Sequence, residues 1–158
     1  LMLLVQVWVP RLQTDVPVRT DAKVQVVGLT KLLCDTPALL ADANGQQIWA
    51  QILAGAVRII SSPNSHLDNS TPAGDDDDLE VEIGYDATFS RLHFAAKAVV
   101  DPFPEVKDAP MSLIQSLHAL SSSQPGKLAP LVQQGLQNDA KLAASLEALF
   151  NKAGLALV

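Results

Sequence analysis

Apolar residues recur at helical spacing along most of this chain. The stretch 21–34 carries two such rows, Ala22, Val26, Leu29 and Leu33 in one and Val24, Val27 and Cys34 in the other. A helix on the surface of a protein needs only one apolar stripe, whereas two rows need neighbours on more than one side. The sequence therefore predicts a helix that lies inside an assembly of other helices.

The same periodicity predicts six more helices. Their apolar positions lie within 3–12, 44–60, 85–99, 113–120, 128–136 and 142–150. Pro10 should bend or end the first helix near Val9, and Asn138 and Gly154 are the expected N-cap and C-terminal stop of the last. Proline-containing segments, among them 35–37, 61–65 and 101–110, are predicted to be connectors.

No segment alternates between apolar and polar residues with the length and flanks of a strand. The one short alternation, 79–83, lacks an evident partner and fits the extended end of a loop better. The predicted fold class is therefore all-α. Short paired helices with wide apolar faces favour a HEAT-type α-solenoid, with repeats of about 40 residues, although periodicity alone leaves a compact up-down bundle open.

Acidic residues are concentrated in one run. Of the 158 residues 17 are acidic and 11 basic, and six of the carboxylates fall between positions 75 and 82: Asp75, Asp76, Asp77, Asp78, Glu80 and Glu82. The run lies in a polar segment at about 62–83, which we interpret as a loop inserted into a single region spanning 1–158. Such a loop either only solvates the surface or binds a basic partner weakly.

Composition and motifs argue against several classes of function. The net charge of −6 and the lack of a basic cluster disfavour nucleic acid. The opening apolar run is too short to span a membrane. Asp75 starts no EF-hand, because its sixth residue is Glu80 rather than glycine and its twelfth is Asp86 rather than glutamate. No metal site, cofactor motif or catalytic constellation is predicted.

The remaining candidate ligands favour structural roles. His66, His93 and His118 have no cysteine or carboxylate partners at ligand spacing, and the last two lie on predicted helices, where packing is the expected role. Cys34 is the only cysteine and lies among apolar residues. We expect it to be a buried thiol in a reducing compartment.

Several stretches together resemble a known family. They are Val26–Leu33, Ile48-Trp49, Gly84-Tyr85 with Phe89–Leu92 and Phe94-Ala95, Gln115–Ser121, and Pro125-Gly126. In this order, with an acidic loop before Gly84, they are similar to the C-terminal region of the CAS exportins. These are β-karyopherins, and the similarity extends from about Asp21 to the last residue.

The resemblance implies a HEAT superhelix with a role in nuclear export and no enzyme activity. Members of the family carry importin-α out of the nucleus together with Ran-GTP, shuttling between nucleus and cytoplasm through the nuclear envelope. The two partners would favour each other's binding. A generic HEAT interaction scaffold is the alternative function, and it would not need these motifs in this order.

The first nine residues lead to one further expectation. Leu1 to Val9 is an apolar run at the very start of the sequence. We therefore expect the sequence to be a piece of a longer chain, and either to self-associate through its exposed N-terminal helices or to fray before about Asp21.

Overall fold

Five α-helices account for most of the described structure. The computed structural model describes residues 7–8, 10–11, 19–65, 67 and 101–157. The helices are α1 (Arg19–Asp35), α2 (Ala43–Ser61), α3 (Ala109–Ser123), α4 (Leu128–Leu136) and α5 (Ala140–Ala153), with 3-10 turns at Pro37–Leu40 and Pro63–Ser65. No strand occurs within these ranges. The predicted all-α class is confirmed.

Helix α1 buries the first of its two predicted rows completely. Ala22, Val26, Leu29 and Leu33 are at most 1% exposed, whereas in the second row only Val27 is buried and Val24 and Cys34 are half-buried. Among the buried residues Thr30 is polar, and its hydroxyl donates to the Val26 carbonyl at 2.7 Å. The helix is thus covered most fully on one side.

Helix α2 lies at the centre of the packing. It contacts α1, α4, α5 and both 3-10 turns. Its predicted apolar face is buried except at the half-buried Ile60, and Trp49 and Leu53 widen that face as expected: both are 0% exposed. The indole N–H of Trp49 donates to the Leu33 carbonyl at 3.0 Å, which satisfies the one polar group of this buried side chain.

Aspartates begin three of the helices. The carboxylates of Asp42, Asp108 and Asp139 accept backbone N–H groups of the first turns of α2, α3 and α5. Such caps satisfy donors that have no partner within the helix. Two sequence predictions were wrong here: Asp139 rather than Asn138 is the N-cap of α5, and 108–110 is not a connector.

The second correction has a simple physical reason. Ala109 and Pro110 form the first turn of α3, where proline is tolerated because its missing N–H would have no partner within the helix there. Asp108 followed by Ala109 and Pro110 is therefore a start signal for a helix. The predicted stop at Gln124-Pro125-Gly126 is confirmed, since α3 ends at Ser123.

Other predictions fall on residues outside the described ranges. These include the helix at 85–99, the acidic run, and most of the inserted loop and of the helix at 3–12. Near Pro10, Val7 and Trp8 are in a π-helical turn and Pro10 and Arg11 are α-helical, so helical backbone lies on both sides of Val9.

Helix α4 approaches α2 closely at a glycine. A Cβ atom placed on Gly135 would lie 2.5 Å from the backbone oxygen of Ala50. No real Cβ tolerates that distance, and the obstacle is backbone rather than a side chain that could rotate away. Gly135 therefore determines how near the two helices can lie.

We expect the substitution Gly135→Ala to lower the free energy of unfolding by about 1–3 kcal/mol, because the helices must separate. Gly28→Ala is the matched control. It lies within α1 with nothing within 4 Å of an added Cβ, so the gain in helix propensity should stabilise the fold by about 0.5–1 kcal/mol. Urea unfolding followed by circular dichroism measures both. Equal effects of the two substitutions would contradict the close crossing.

Candidate protein-interaction surface

An apolar cleft lies between α4, α5 and the residues that follow α5. Its volume is about 540 Å³. The buried side chains of Leu136, Leu146 and Phe150 line it, together with the half-buried Leu155 and Leu157. Polar side chains also line it: Gln133, Gln137, Glu147 and Asn151. An apolar floor with polar groups around it is typical of a surface that binds another molecule.

After α5 the chain changes direction and forms one wall of this cleft. Gly154 has φ 65°, a conformation that favours glycine. Its N–H donates to the Asn151 carbonyl, and the N–H of Leu155 donates to the Phe150 carbonyl, both at 3.1 Å. This pair of bonds is a Schellman motif, and it confirms the stop predicted at Gly154.

His118 holds the same segment from another helix. Its Nδ1 atom lies 2.7 Å from the Ala156 carbonyl oxygen. A carbonyl can only accept, so Nδ1 donates in this contact. The predicted structural role of His118 agrees with this contact, whereas His66 and His93 lie outside the described residues.

A second, polar cleft lies between α2, α4 and the start of α5. Its volume is about 360 Å³. Side-chain amides contribute much of its lining: Gln47, Gln51, Gln134, Gln137 and Asn138. At its edge a guanidinium nitrogen of Arg58 lies 3.6 Å from a carboxylate oxygen of Asp139. The two charges compensate each other, so the cleft is polar without net charge.

The connector before α3 is held on α1 by charge. The Lys23 ammonium donates to the Asp101 carboxylate, and the Lys31 ammonium lies 5.3 Å from the centre of the Phe103 ring. The bond from Lys23 and another from the Phe103 N–H hold the pKa of Asp101 below its ordinary value. These contacts fix the direction from which the chain enters α3.

Cys34 is a poor nucleophile in this fold. Burial, and to a smaller extent the neighbouring Asp35 carboxylate, raise the pKa of its thiol from 9.0 to about 11. The thiolate is the reactive form, so little of it exists at neutral pH. The sequence predicted a buried thiol; the side chain is half-buried, and its raised pKa fits a structural role.

The predicted site residues, Asp75–Asp78, Glu80 and Glu82, lie outside the described ranges. Sequence reasoning missed both clefts: the apolar one depends on how residues 129–157 fold against one another, and the polar one joins separate parts of the chain. Gln51 and Gln134, for example, are more than eighty positions apart. Only the amide-rich sequence at 133–138 was a visible signal.

Two kinds of feature are absent from the described residues. No group of three or more His, Cys, Asp or Glu side chains there could hold a metal ion. In the same part of the chain, no helix is long and apolar enough to cross a membrane.

Comparison with known proteins gives a consistent result. The family described as "CAS/CSE protein, C-terminus" matches residues 1–146. Exportin-2 of Xenopus laevis is 34% identical over 124 residues, covering 76% of this chain and 12% of that protein. Exportin-2 of Mus musculus and of Homo sapiens are each 32% identical over 143 residues, covering 88% of the chain and 14% of each protein. No solved structure matches.

Helices packed on one another, with clefts between them and no strand in the described ranges, define a helical-repeat scaffold. The fold is a segment of a HEAT-repeat α-solenoid. Within this class, the chain belongs to the CAS/CSE family and corresponds to its C-terminal region. It spans 12–14% of the length of the exportin-2 relatives that it matches.

Asp139 should stabilise α5 more as a cap than as an ion pair. Asp139→Ala removes both interactions and should cost about 1 kcal/mol of unfolding free energy. Asp139→Asn keeps an oxygen that accepts the N–H groups of Lys141 and Leu142, and the ion pair that it loses is partly exposed. We therefore expect the Asp139→Asn variant to have nearly the same unfolding free energy as the wild type in urea unfolding. An Asn variant as unstable as the Ala variant would show that the ion pair dominates.

Cys34 should react slowly with a disulfide reagent at pH 8. Its thiolate fraction is about a hundredth of that of a thiol of pKa 9, and higher intrinsic nucleophilicity offsets part of this, leaving a rate about tenfold below that of glutathione. The measurement is the colour released from an aromatic disulfide reagent. In urea the rate should rise to that of glutathione. A folded-state rate equal to that of glutathione would contradict the raised pKa.

Proposed function

We propose that this chain is the C-terminal helical segment of a nuclear export receptor of the exportin-2 type. The observation that carries the proposal is the family match over residues 1–146, together with 32–34% identity to exportin-2 over most of the chain. The receptor carries importin-α out of the nucleus with Ran-GTP and performs no catalysis itself. It moves between nucleus and cytoplasm.

The physical role proposed for the segment is that of one arm of a clamp. Repeats of a solenoid contact only their neighbours, so curvature in one region is transmitted through the stack. Two partners held by different regions of one superhelix then favour each other's binding. The cores around α2 supply the stiffness that such transmission needs, because ten residues of that helix are buried.

We expect this chain to replace the matching segment of an exportin-2. A chimera of exportin-2 that carries residues 1–158 in place of its own C-terminal segment should bind importin-α in the presence of Ran-GTP and not of Ran-GDP. The control is exportin-2 with that segment deleted, which should lose this nucleotide dependence. Gly135→Ala in the chimera should weaken binding of importin-α, because the substitution forces α4 away from α2.

The isolated chain should fail in the same assay. A cooperative clamp needs contacts from distant repeats, and this chain spans 12–14% of its relatives' length. Tight, GTP-dependent capture of importin-α by the chain alone would show that the decisive contacts lie within these repeats. A folded chimera that binds neither partner would contradict the exportin assignment and favour a generic HEAT scaffold.

We also propose that the acidic run, Asp75–Asp78 with Glu80 and Glu82, faces a basic surface of a partner. Six carboxylates within eight positions attract such a surface from a distance, an effect that salt screens within about 10 Å at 0.1 M. Attraction of this kind raises the rate of association more than it slows dissociation. The rival role is that of a solvated spacer.

Replacing Asp75–Asp78 by serine in the chimera should therefore slow association at low salt and leave dissociation nearly unchanged. The same four positions replaced by glutamate keep the charge and serve as the control. Surface plasmon resonance at several salt concentrations separates the two rates. Identical rates for the serine and glutamate variants at every salt concentration would make the run a spacer only.

A further inference from the structure

Side-chain amides are the most numerous chemical group in the lining of the polar cleft. Five of its residues are glutamine or asparagine: Gln47, Gln51, Gln134, Gln137 and Asn138. Their side-chain amides make no hydrogen bond to any other described residue. Each amide therefore offers two donors and one acceptor with two lone pairs to whatever enters the cleft.

The floor of the cleft is low because small residues form it. Ala50 and Ala54 of α2 and Gly135 of α4 line the cleft. Their side chains are short, and the close crossing at Gly135 keeps α4 near α2. The resulting volume of about 360 Å³ lies within the range typical of ligand sites.

The charged residues in the lining of the polar cleft disfavour charged ligands. Arg58 and Asp139 are the charged residues in the lining, and they face each other at 3.6 Å. A phosphate or carboxylate would have to displace Asp139 from Arg58, and a cation would have to displace Arg58 from Asp139. The cleft thus suits an uncharged ligand that both donates and accepts hydrogen bonds.

The spacing of the amides points to one such ligand. Gln47 and Gln51 are four positions apart on α2, which separates them by about 6 Å along the helix axis. In an extended polypeptide, main-chain groups that point to the same side repeat every two residues, about 6.6–6.8 Å apart. We propose that the polar cleft binds an extended segment of a partner polypeptide through its main-chain N–H and C=O groups. This site is independent of the exportin assignment.

Binding through the main chain has a recognisable consequence. Affinity depends on backbone donors and acceptors and little on the side chains of the ligand, as in other modes of recognition of extended peptides. A short peptide should bind only in the millimolar range, because few hydrogen bonds form and the peptide loses conformational freedom. Millimolar binding is measurable by nuclear magnetic resonance.

The experiment titrates the isotope-labelled 158-residue chain with the capped peptide acetyl-Ser-Gly-Ser-Gly-amide. Saturable shifts are expected in the side-chain amide signals of the five residues that line the cleft. An analogue methylated at its backbone nitrogens lacks the donors and should bind about fivefold more weakly or worse. Equal binding of the analogue, or no saturable shift, would overturn the proposal.

Two variants complete the test. Gln47→Ala with Gln51→Ala removes the amides of α2 and should weaken binding by about fivefold, the loss expected for one or two hydrogen bonds. Gln115→Ala is the control, since Gln115 is exposed on α3 outside the cleft. Circular dichroism checks that both variants fold. Unchanged affinity of the folded double variant would also overturn the proposal.

Discussion

Burial of helix α2 against several neighbours is the constraint on which the rest of the described structure depends. Trp49, Ile52, Leu53, Ala56 and Val57 are 0% exposed, so the helix cannot exist without α1, α4 and α5 around it. Each large apolar side chain that is buried stabilises the fold by about 1.5–3 kcal/mol. The glycine at position 135 then fixes how closely one of these neighbours approaches.

Both clefts follow from the position of α4. Val132, Gln133 and Leu136 face the apolar cleft, while Gln134 and Gly135 between them face the polar cleft. A single short helix therefore separates two surfaces of different chemistry. A scaffold built in this way suits recognition of proteins, which combines apolar contact with main-chain hydrogen bonds.

The sequence predicted the elements better than the sites. Spacing identified the rows on α1 and α2 because burial of an apolar face depends on local periodicity. It misjudged Pro110 and Asn138, where capping by an aspartate decides the boundary. Neither cleft could be predicted. The polar cleft depends on the crossing of α2 and α4, and the sequence does not reveal that the Ala50 backbone lies opposite Gly135. The apolar cleft depends on how α4, α5 and the residues after α5 fold against one another. The acidic run was found from charge alone, and its role is still a prediction.

Native-state hydrogen exchange tests the central position of α2 most directly. Amides that exchange only when the whole fold opens are the slowest in a protein, and they belong to its most deeply buried elements. The packing described above predicts that the slowest amides lie between Ile48 and Ile59. If the slowest amides lay instead in α3 or α5, with α2 exchanging by local opening, α2 would not be the element on which the others depend.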